Sequence, residues 1–261
     1  MRRDDGPHAA QAEFRRRLVA RERLLGTFLK SSSPHPTEIL AEAGFDFVVV
    51  DVEHAPFGPG DIDLLMLAAR AARLASLVRV ADMSGILTAL DCSAAGVLVP
   101  HVDSPEKLQA VVSACRYDEG TRGFSNSPRA GRYGTLGFRE HIRLADESLS
   151  ILAMIEDPEA LDRLDAIFAV PGLTGAFIGR GDLSARLGAS STSDPPVVAA
   201  VDRIADAARR YDVPLLAHVG SASDPDVAYL TGAGVSAYIV ASDQGLLRQA
   251  ATAQRRAFDE G

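Results

Sequence analysis

Short apolar runs alternate along this chain with longer stretches in which apolar positions recur at helical spacing. Several of the runs are continuous in Val, Ile and Leu, a pattern typical of parallel strands whose two faces are both buried. Strands that alternate with helices in this way predict parallel β–α units. The eight runs that we assign to strands are residues 24–29, 45–51, 77–80, 96–100, 151–156, 174–179, 213–218 and 237–241.

Helices are predicted between these strands. Residues 104–115 begin with Ser-Pro-Glu, which combines an N-cap residue with proline at the first helical position. The segment 197–210 follows Asp-Pro-Pro and carries the same start signal, and residues 62–74 are amphipathic. Residues 9–23 form a further helix that we expect to cover the bottom of the fold, before the first strand.

Eight such strands close a barrel more readily than they form an open sheet. We therefore predict one (β/α)8 TIM-type barrel over residues 1–261, with residues 1–23 as an N-terminal helical extension. The length of 261 residues is close to the roughly 250 typical of this fold. One connection, residues 117–136, is long and rich in Gly, Arg and Ser, which is typical of a functional or mobile loop.

Composition and charge narrow the classes of partner. The formal net charge of −8 argues against a nucleic-acid partner, because phosphate binding requires a basic face. No apolar run approaches the roughly 20 residues of a spanning helix, and the first ten residues lack a secretory signal pattern. Cys92 and Cys115 show no metal or CxxC spacing, so we expect reduced thiols, no membrane partner and a cytoplasmic location.

Polar residues recur where the predicted strands end. Active sites of (β/α)8 barrels lie at the carboxyl ends of the strands, so these side chains are candidates for the chemistry. Singly, each has an ordinary structural explanation, such as a helix-capping carboxylate or a hydrogen-bonded histidine; their joint recurrence favours an active site. The set comprises Asp51, His54, Arg79, His101, Glu156, Asp157, Asp182, His218 and Asp243.

Three segments carry a family resemblance. They are Phe-Asp-Phe-Val-Val-Val-Asp-Val-Glu-His-Ala-Pro at 45–56, Val-Leu-Val-Pro at 97–100 and Phe-Ile-Gly-Arg-Gly-Asp-Leu-Ser at 177–184. They resemble the hallmark segments of the HpcH/HpaI aldolase and citrate lyase family, most of all its class II 4-hydroxy-2-oxoheptane-1,7-dioate and 2-keto-3-deoxy-sugar-acid aldolases. The resemblance implies a metal-dependent aldehyde-lyase that cleaves or forms 4-hydroxy-2-oxo acids through a pyruvate-type enolate.

The resemblance also implies a metal site. It makes Glu156 and Asp182 the metal-binding carboxylates. Two carboxylates together with water and a bidentate oxo-acid suit a hard divalent ion, so the expected cofactor is Mg²⁺ or Mn²⁺, with Co²⁺ or Zn²⁺ as alternatives. The competing interpretation is that both acids merely cap helices.

Further roles follow from the same resemblance. His54 matches the general base, and Asp91 matches the carboxylate that pairs with its imidazole, which would fix the tautomer and raise the basicity of the ring. Arg79 matches the arginine that holds the keto oxygen and stabilises the enolate. Gly181 and Asp182 are expected to receive the substrate carboxylate through their backbone N–H groups. A surface acid at Asp91 and a structural ion pair at Arg79 are the alternatives.

Other positions are given no catalytic role. Met154 stands where many of these aldolases carry Gln, and Arg180 replaces a common Pro, so both positions bear on the substrate. His101 and His218 are interpreted as structural histidines. The arginines of the long loop either recognise an acidic acceptor or are solvated charges; they are Arg122, Arg129 and Arg132.

The resemblance further implies pyruvate or another 2-oxo acid and an aldehyde as partners, within a homo-oligomer, either a hexamer or a trimer, in which C-terminal helices are exchanged between subunits. Residues 246–258 are apolar enough to be a helix exchanged between subunits. The lysines, Lys30 and Lys107, do not favour a Schiff-base mechanism. Two alternative functions stay open: a CoA-ester lyase of the citrate lyase beta or malyl-CoA type, and a catalytically degenerate barrel that acts as a binding protein.

Overall fold

A closed barrel of eight parallel strands organises the chain, and the predicted (β/α)8 fold is confirmed. The computed structural model describes residues 7–260, so residues 1–6 of the predicted N-terminal extension and residue 261 lie outside it. Each strand pairs with the next along the chain, and the last pairs with the first. The strands are β1 Leu24–Leu29, β2 Phe47–Asp51, β3 Ala75–Arg79, β4 Gly96–Val99, β5 Ser150–Ile155, β6 Gly175–Ile178, β7 Leu215–Val219 and β8 Val235–Ser242.

Helices surround this barrel. They are α1 Pro7–Val19, α2 His35–Glu42, α3 Pro59–Ala71, α4 Gly85–Asp91, α5 Pro105–Cys115, α6 Phe138–Ser148, α7 Leu164–Phe168, α8 Arg180–Arg186, α9 Pro195–Arg210, α10 Asp226–Gly232 and α11 Asp243–Glu260. The long loop contains a short 3₁₀ segment, Arg129–Gly134. Within residues 7–260, no helix has the length and apolar character needed to cross a membrane.

Most predicted boundaries agree with the structure to within two residues. Helix α3 begins at Pro59, three residues before the predicted start, because Pro59 occupies the first turn and the Asp61 carboxylate accepts a hydrogen bond from the Gly58 N–H at 2.9 Å. Strand β3 begins at Ala75, two residues early, because Ala75 pairs with Phe47 of β2.

Large side chains fill the barrel interior, and helix α1 closes its bottom as the sequence predicts. Phe14 and Leu18 of α1 are buried within the interior cluster, and the Phe14 ring lies 5.1 Å from that of Phe47. A Cβ at Gly26 would lie 2.5 Å from the Phe47 ring, so glycine leaves the space that this ring occupies. The packed interior therefore restricts the chemistry to the opposite end, where polar residues follow the strands.

Candidate active site

Arg79, the last residue of β3, is the most tightly held charged side chain at this end of the barrel. Asp51 ends β2 and is its register neighbour, and the two meet in a bidentate pair, with Nε to Oδ1 at 2.9 Å and Nη2 to Oδ2 at 2.6 Å. Nη1 lies 3.2 Å from Oε2 of Glu53, and the guanidinium lies 4.6 Å from the centre of the Phe28 ring. These contacts fix the orientation of a buried cation.

Asp51 is fully buried and serves as the anchor for this cation. Burial opposes its ionisation, but the hydrogen bonds and charge of Arg79, the His54 N–H and Lys30 together hold the pKa of the carboxyl below its ordinary value. The Lys30 Nζ lies 3.1 Å from Oδ2. The sequence pointed to Asp51 as a strand-end acid but gave it no role, because the pairing with Arg79 depends on the register of two strands.

Glu156 follows β5 and is 2% exposed. Burial raises the pKa of its carboxyl to about 7; the His101 hydrogen bond and charge oppose this shift, and the charges of Asp182 and Glu53 add to it. A Cβ at Gly179 would lie 2.3 Å from the Glu156 Cβ, so the β6 end passes this side chain too closely for any other residue. Glu156 is therefore a buried carboxylate, and the one basic side chain that pairs with it among residues 7–260 is the His101 imidazole, whose Nδ1 lies 3.5 Å from Oε1.

Asp182 lies in the first turn of α8, is exposed to solvent, and lines the same cavity as His54 and Arg79. Its charge acts on Glu156, so the two predicted metal carboxylates come close to one another. Within residues 7–260, no group of three or more His, Cys, Asp or Glu side chains is arranged to hold a metal ion.

His54 is exposed at the rim of the site. Its backbone N–H donates to Oδ1 of Asp51 at 3.1 Å, so the Arg79 anchor also positions the turn that carries the imidazole. The ring Nε2 lies 3.6 Å from Oε2 of Glu53. The ring lines the cavity with Arg79 and is therefore available to a bound molecule.

Asp91 does not meet His54 within one chain, contrary to the expectation for this pair. Asp91 is the last residue of α4, which runs from the carboxyl end of β3 back toward the amino end of β4, and so it lies at the opposite end of the barrel. Its Oδ1 accepts a hydrogen bond from Nη2 of Arg122 at 3.0 Å. In the single chain the carboxylates nearest His54 are instead those of Asp51 and Glu53.

The loop arginines, for which recognition of an acidic acceptor and solvated charge were the two interpretations, are largely structural. Arg122 and Arg129 are both buried, and Arg129 pairs with Asp63 at 2.8 Å. The Arg122 guanidinium also lies over the Tyr117 ring, 4.3 Å from its centre. Two of the three loop arginines therefore attach the loop to the barrel and are not available to an acceptor.

His101 and His218, interpreted from sequence as structural, both lie at the site. His101 follows β4 with φ of 55°, and its backbone N–H donates to Oε1 of Glu156 at 2.7 Å. Its ring Nδ1 lies 3.2 Å from Oδ2 of Asp157. The His218 ring opens onto the cavity; burial by the surrounding protein, and then the charges of Arg180, Arg79 and Lys30, lower its pKa.

A cavity of about 580 Å³ is lined by His54, Arg79, Asp182 and His218, and its size is typical of small-molecule sites. Met154 and Phe177, members of the barrel-interior cluster, form part of its wall. Met154 therefore places an apolar surface where a polar contact is common in the family. Gly181 also lines the cavity, and so does Arg180, whose Nη1 pairs with Asp226 and whose Nη2 donates to the His218 carbonyl at 3.1 Å.

Comparison with known proteins places the chain among aldolases in sequence. The chain is 41% identical to 2-dehydro-3,6-dideoxy-6-sulfogluconate aldolase of Pseudomonas putida over 167 residues, which is 63% of the chain and 65% of that relative, just under two thirds of its length. It is 33% identical to 5-keto-4-deoxy-D-glucarate aldolase of Escherichia coli over 244 residues, 91% of the chain and 93% of that relative.

A solved structure and a family match complete the comparison. The crystal structure of an HpcH/HpaI aldolase from Desulfitobacterium hafniense DCB-2 superimposes with a TM-score of 0.87 at 27% identity, covering 94% of this chain and 96% of that one. The HpcH/HpaI aldolase/citrate lyase family matches residues 24–250. The chain therefore belongs to the HpcH/HpaI aldolase/citrate lyase family.

Proposed function

We propose that this protein is a class II aldolase, a divalent-metal-dependent carbon–carbon lyase that cleaves or forms 4-hydroxy-2-oxo acids from a pyruvate-type enolate and an aldehyde. One observation carries the proposal. A buried arginine, fixed by Asp51 and Glu53, opens onto the same cavity as Asp182, whose charge acts on the buried carboxylate of Glu156. This arrangement suits the stabilisation of an enolate beside a cation.

The residues present fit a divalent cation. Glu156 is a buried carboxylate with a raised pKa and a second carboxylate nearby, an electrostatic conflict that a bound cation relieves. Glu156 and Asp182 would hold the ion, and oxygen donors favour Mg²⁺ or Mn²⁺ over softer metals. When bound, the ion supplies Lewis-acid polarisation of a 2-oxo group.

Arg79 is the proposed stabiliser of the enolate. Its guanidinium is oriented before substrate arrives, so positive charge is already in position where negative charge develops on the keto oxygen. Removal of Asp51 and Glu53 would remove the ion pairs that orient the guanidinium. The backbone N–H groups of Gly181 and Asp182, beside the same cavity, are proposed to receive the substrate carboxylate.

His54 is the proposed proton carrier at the aldehyde end. In the cleavage direction, its imidazole accepts the proton of the 4-hydroxyl group as the carbon–carbon bond breaks; in synthesis it returns that proton to the new alkoxide. A role for Asp91 beside this ring would require a second copy of the chain, since Asp91 lies at the other end of its own barrel.

A homo-oligomer, a hexamer or a trimer, is proposed as the working form. In helix α11, Asp243 is buried and Leu246 packs partly buried against the core of its own chain, whereas Leu247 and Phe258 expose 71% and 77% of their surface. Apolar side chains at such exposure are typical of a helix that packs on another subunit. The cytoplasmic location stays a prediction.

The named relatives support a sugar-acid substrate. Sulfogluconate and glucarate are both polyhydroxy acids with an anionic group at each end of the carbon chain. We propose a polyhydroxylated 2-oxo acid of this class for the present protein, with pyruvate or a close homologue as one product.

A cleavage assay tests the proposed function. Purified protein is given a panel of 4-hydroxy-2-oxo acids with Mg²⁺ or Mn²⁺, with and without EDTA, and pyruvate release is followed. Metal-dependent pyruvate release is expected from at least one free acid, with none from a malyl-CoA or citryl-CoA thioester. Cleavage of a thioester alone would favour the CoA-ester lyase, and metal binding with no cleavage of any substrate would favour a binding protein.

A further inference from the structure

The cavity extends well beyond the proposed pyruvate site. The proposed metal carboxylates follow β5 and β6, whereas the other wall is formed by Lys30 after β1, His218 near the end of β7 and Arg248 in α11. A volume of about 580 Å³ far exceeds a small acid such as pyruvate, so the second wall is available to the aldehyde partner. The chemistry of this wall therefore bears on which aldehyde is accepted.

The basic residues that line the cavity differ in whether they form ion pairs with carboxylates of the protein. Arg79 pairs with Asp51 and Glu53, and Lys30 also pairs with Asp51. Arg180 pairs with Asp226. Arg248 lines the cavity, is exposed, and forms no ion pair or hydrogen bond with any residue of the described part of the chain. Among the lysine and arginine residues that line the cavity, Arg248 is therefore the one whose N–H donors have no partner within the described part of the chain.

The acidic groups on the same wall have other hydrogen-bond donors, and within residues 7–260 none of them pairs with Arg248. Asp224 accepts hydrogen bonds from the N–H groups of Gly220, at 3.1 Å, and Asp226, at 3.0 Å. Asp226 accepts from Arg180 and from the Thr192 hydroxyl at 3.3 Å. These carboxylates therefore stabilise the wall and its buried arginine.

Two features add positive electrostatic potential at the end of the cavity that carries Arg248. Arg180 is 7% exposed, and its Nε–H has no hydrogen-bond partner within the described residues. Burial, and after it the positive charges of Arg180, Arg79 and Lys30, lower the pKa of His218. The local charges favour an incoming anion.

The backbone that carries Arg248 is held in place. Asp243 at the start of α11 accepts hydrogen bonds from the N–H groups of Lys30, at 2.9 Å, and Ser31, at 3.1 Å. The Gln249 amide donates to the Gly220 carbonyl at 3.2 Å, which ties the helix to the loop after β7. The guanidinium is therefore carried at the cavity mouth by a fixed helix, as a binding group requires.

We propose that Arg248 is a specificity-determining residue that binds an anionic group at the far end of the aldehyde acceptor, with Arg180 as a fixed positive charge behind it. The ligand class is an aldehyde ending in a carboxylate, sulfonate or phosphate, all of which a guanidinium can bind through two oxygens. This inference rests on the proposed aldolase function.

The test compares aldehyde acceptors that have the same carbon skeleton and differ in their terminal group. Aldol synthesis from pyruvate is measured with neutral glyceraldehyde, tartronic semialdehyde, 3-sulfolactaldehyde and glyceraldehyde 3-phosphate, with metal in excess. Arg248→Ala should lower kcat/KM about tenfold to a hundredfold for at least one anionic acceptor, the range of a charge-assisted hydrogen bond. Its kcat/KM with glyceraldehyde should change less than about twofold. Arg248→Lys should retain part of the preference, because it keeps the charge and loses the planar fork.

The control is Arg209→Ala, an exposed arginine of α9 that does not line the cavity and should alter no acceptor. The preference of the wild type should also weaken at high salt, because Arg248 is solvent-exposed. The inference would be overturned if kcat/KM of Arg248→Ala fell equally for neutral and anionic acceptors, or fell for no anionic acceptor. Synthesis with glyceraldehyde by the same protein would still support the proposed aldolase function. Wild-type protein that makes no aldol with any acceptor would overturn both.

Discussion

The backbone N–H of His101 donates a 2.7 Å hydrogen bond to the carboxylate oxygen Oε1 of Glu156. His101 can do so because it adopts φ of 55°, a left-handed conformation that costs of order 1 kcal/mol in a residue with a Cβ. The donated bond stabilises the ionised form of a carboxyl that burial otherwise neutralises. The left-handed backbone at His101 therefore helps to keep ionised the carboxylate that we propose as a metal ligand.

The raised pKa of Glu156 predicts how the metal-free protein responds to pH. The folded-state pKa is about 7 and the ordinary value is 4.5, so the folded protein holds this proton more tightly than the unfolded chain. The free energy of unfolding should therefore fall, through this group, as pH rises from about 4.5 to about 7. Glu156→Gln should flatten this slope in denaturant titrations.

Protons and metal compete for the same carboxylate, so metal affinity should rise as pH rises toward and through about 7. Calorimetric titration with Mn²⁺ measures this dependence, and Glu156→Gln should abolish the binding with the fold intact by circular dichroism. Unchanged metal affinity in this variant would remove Glu156 from the site.

Arg79→Lys should lower kcat by about 10²-fold or more, the scale of losing one donor at a developing oxyanion. Lysine keeps the charge, but it cannot make the bidentate pair with Asp51 together with the contact to Glu53. Steady-state cleavage kinetics measure the effect, with Arg209→Lys as a surface control. Turnover near that of the wild type would show that Arg79 has a structural role alone.

Asp51→Asn should destabilise the fold as well as the site. It leaves Arg79 and Lys30 without their shared, fully buried carboxylate, and breaking a buried ion pair costs about 3 kcal/mol or more. Denaturant unfolding measures the loss, with Asp212→Asn, whose side chain is 90% exposed, expected within about 0.5 kcal/mol of wild type. Equal stability of the two variants would contradict the role of Asp51 as an anchor.

Much of the fold and part of the site follow from local sequence. Continuous apolar runs locate all eight strands, and the position of Arg79, Glu156 and Asp182 after strand ends brings them to one end of the barrel. The burial of Arg122 could not be predicted in this way, because its partner Asp91 is 31 positions distant and the pairing needs the packed loop.

Two other features escape the sequence for different reasons. Asp91 looked like a partner for His54, yet the reversal of chain direction in α4 separates them within one barrel. The left-handed backbone of His101 cannot be predicted from its residue type, since only a small fraction of residues other than glycine adopt that conformation, even among the types enriched there. A positive φ at a strand end therefore emerges only from the folded chain.

His54→Ala should separate enolate formation from carbon–carbon cleavage. If the imidazole moves the proton of the acceptor hydroxyl, aldol cleavage should fall by roughly 10²–10⁴-fold. Pyruvate binding should persist, because Arg79, Glu156 and Asp182 are untouched. His35→Ala, at the exposed start of α2 and outside the cavity, is the control. Cleavage at the wild-type rate in His54→Ala would assign the proton to another group.

The exchange of pyruvate methyl protons with D₂O, followed by proton NMR, tests the central claim most directly because it reports the enolate without any aldehyde. The account predicts exchange by the wild-type protein with Mg²⁺ or Mn²⁺, its loss on addition of EDTA, and its recovery when metal is restored in excess. Exchange should be absent in Glu156→Gln and strongly reduced in Arg79→Lys. A wild-type protein that binds metal but exchanges no methyl protons, or one whose exchange is indifferent to EDTA, would contradict a metal-dependent pyruvate enolate in this cavity.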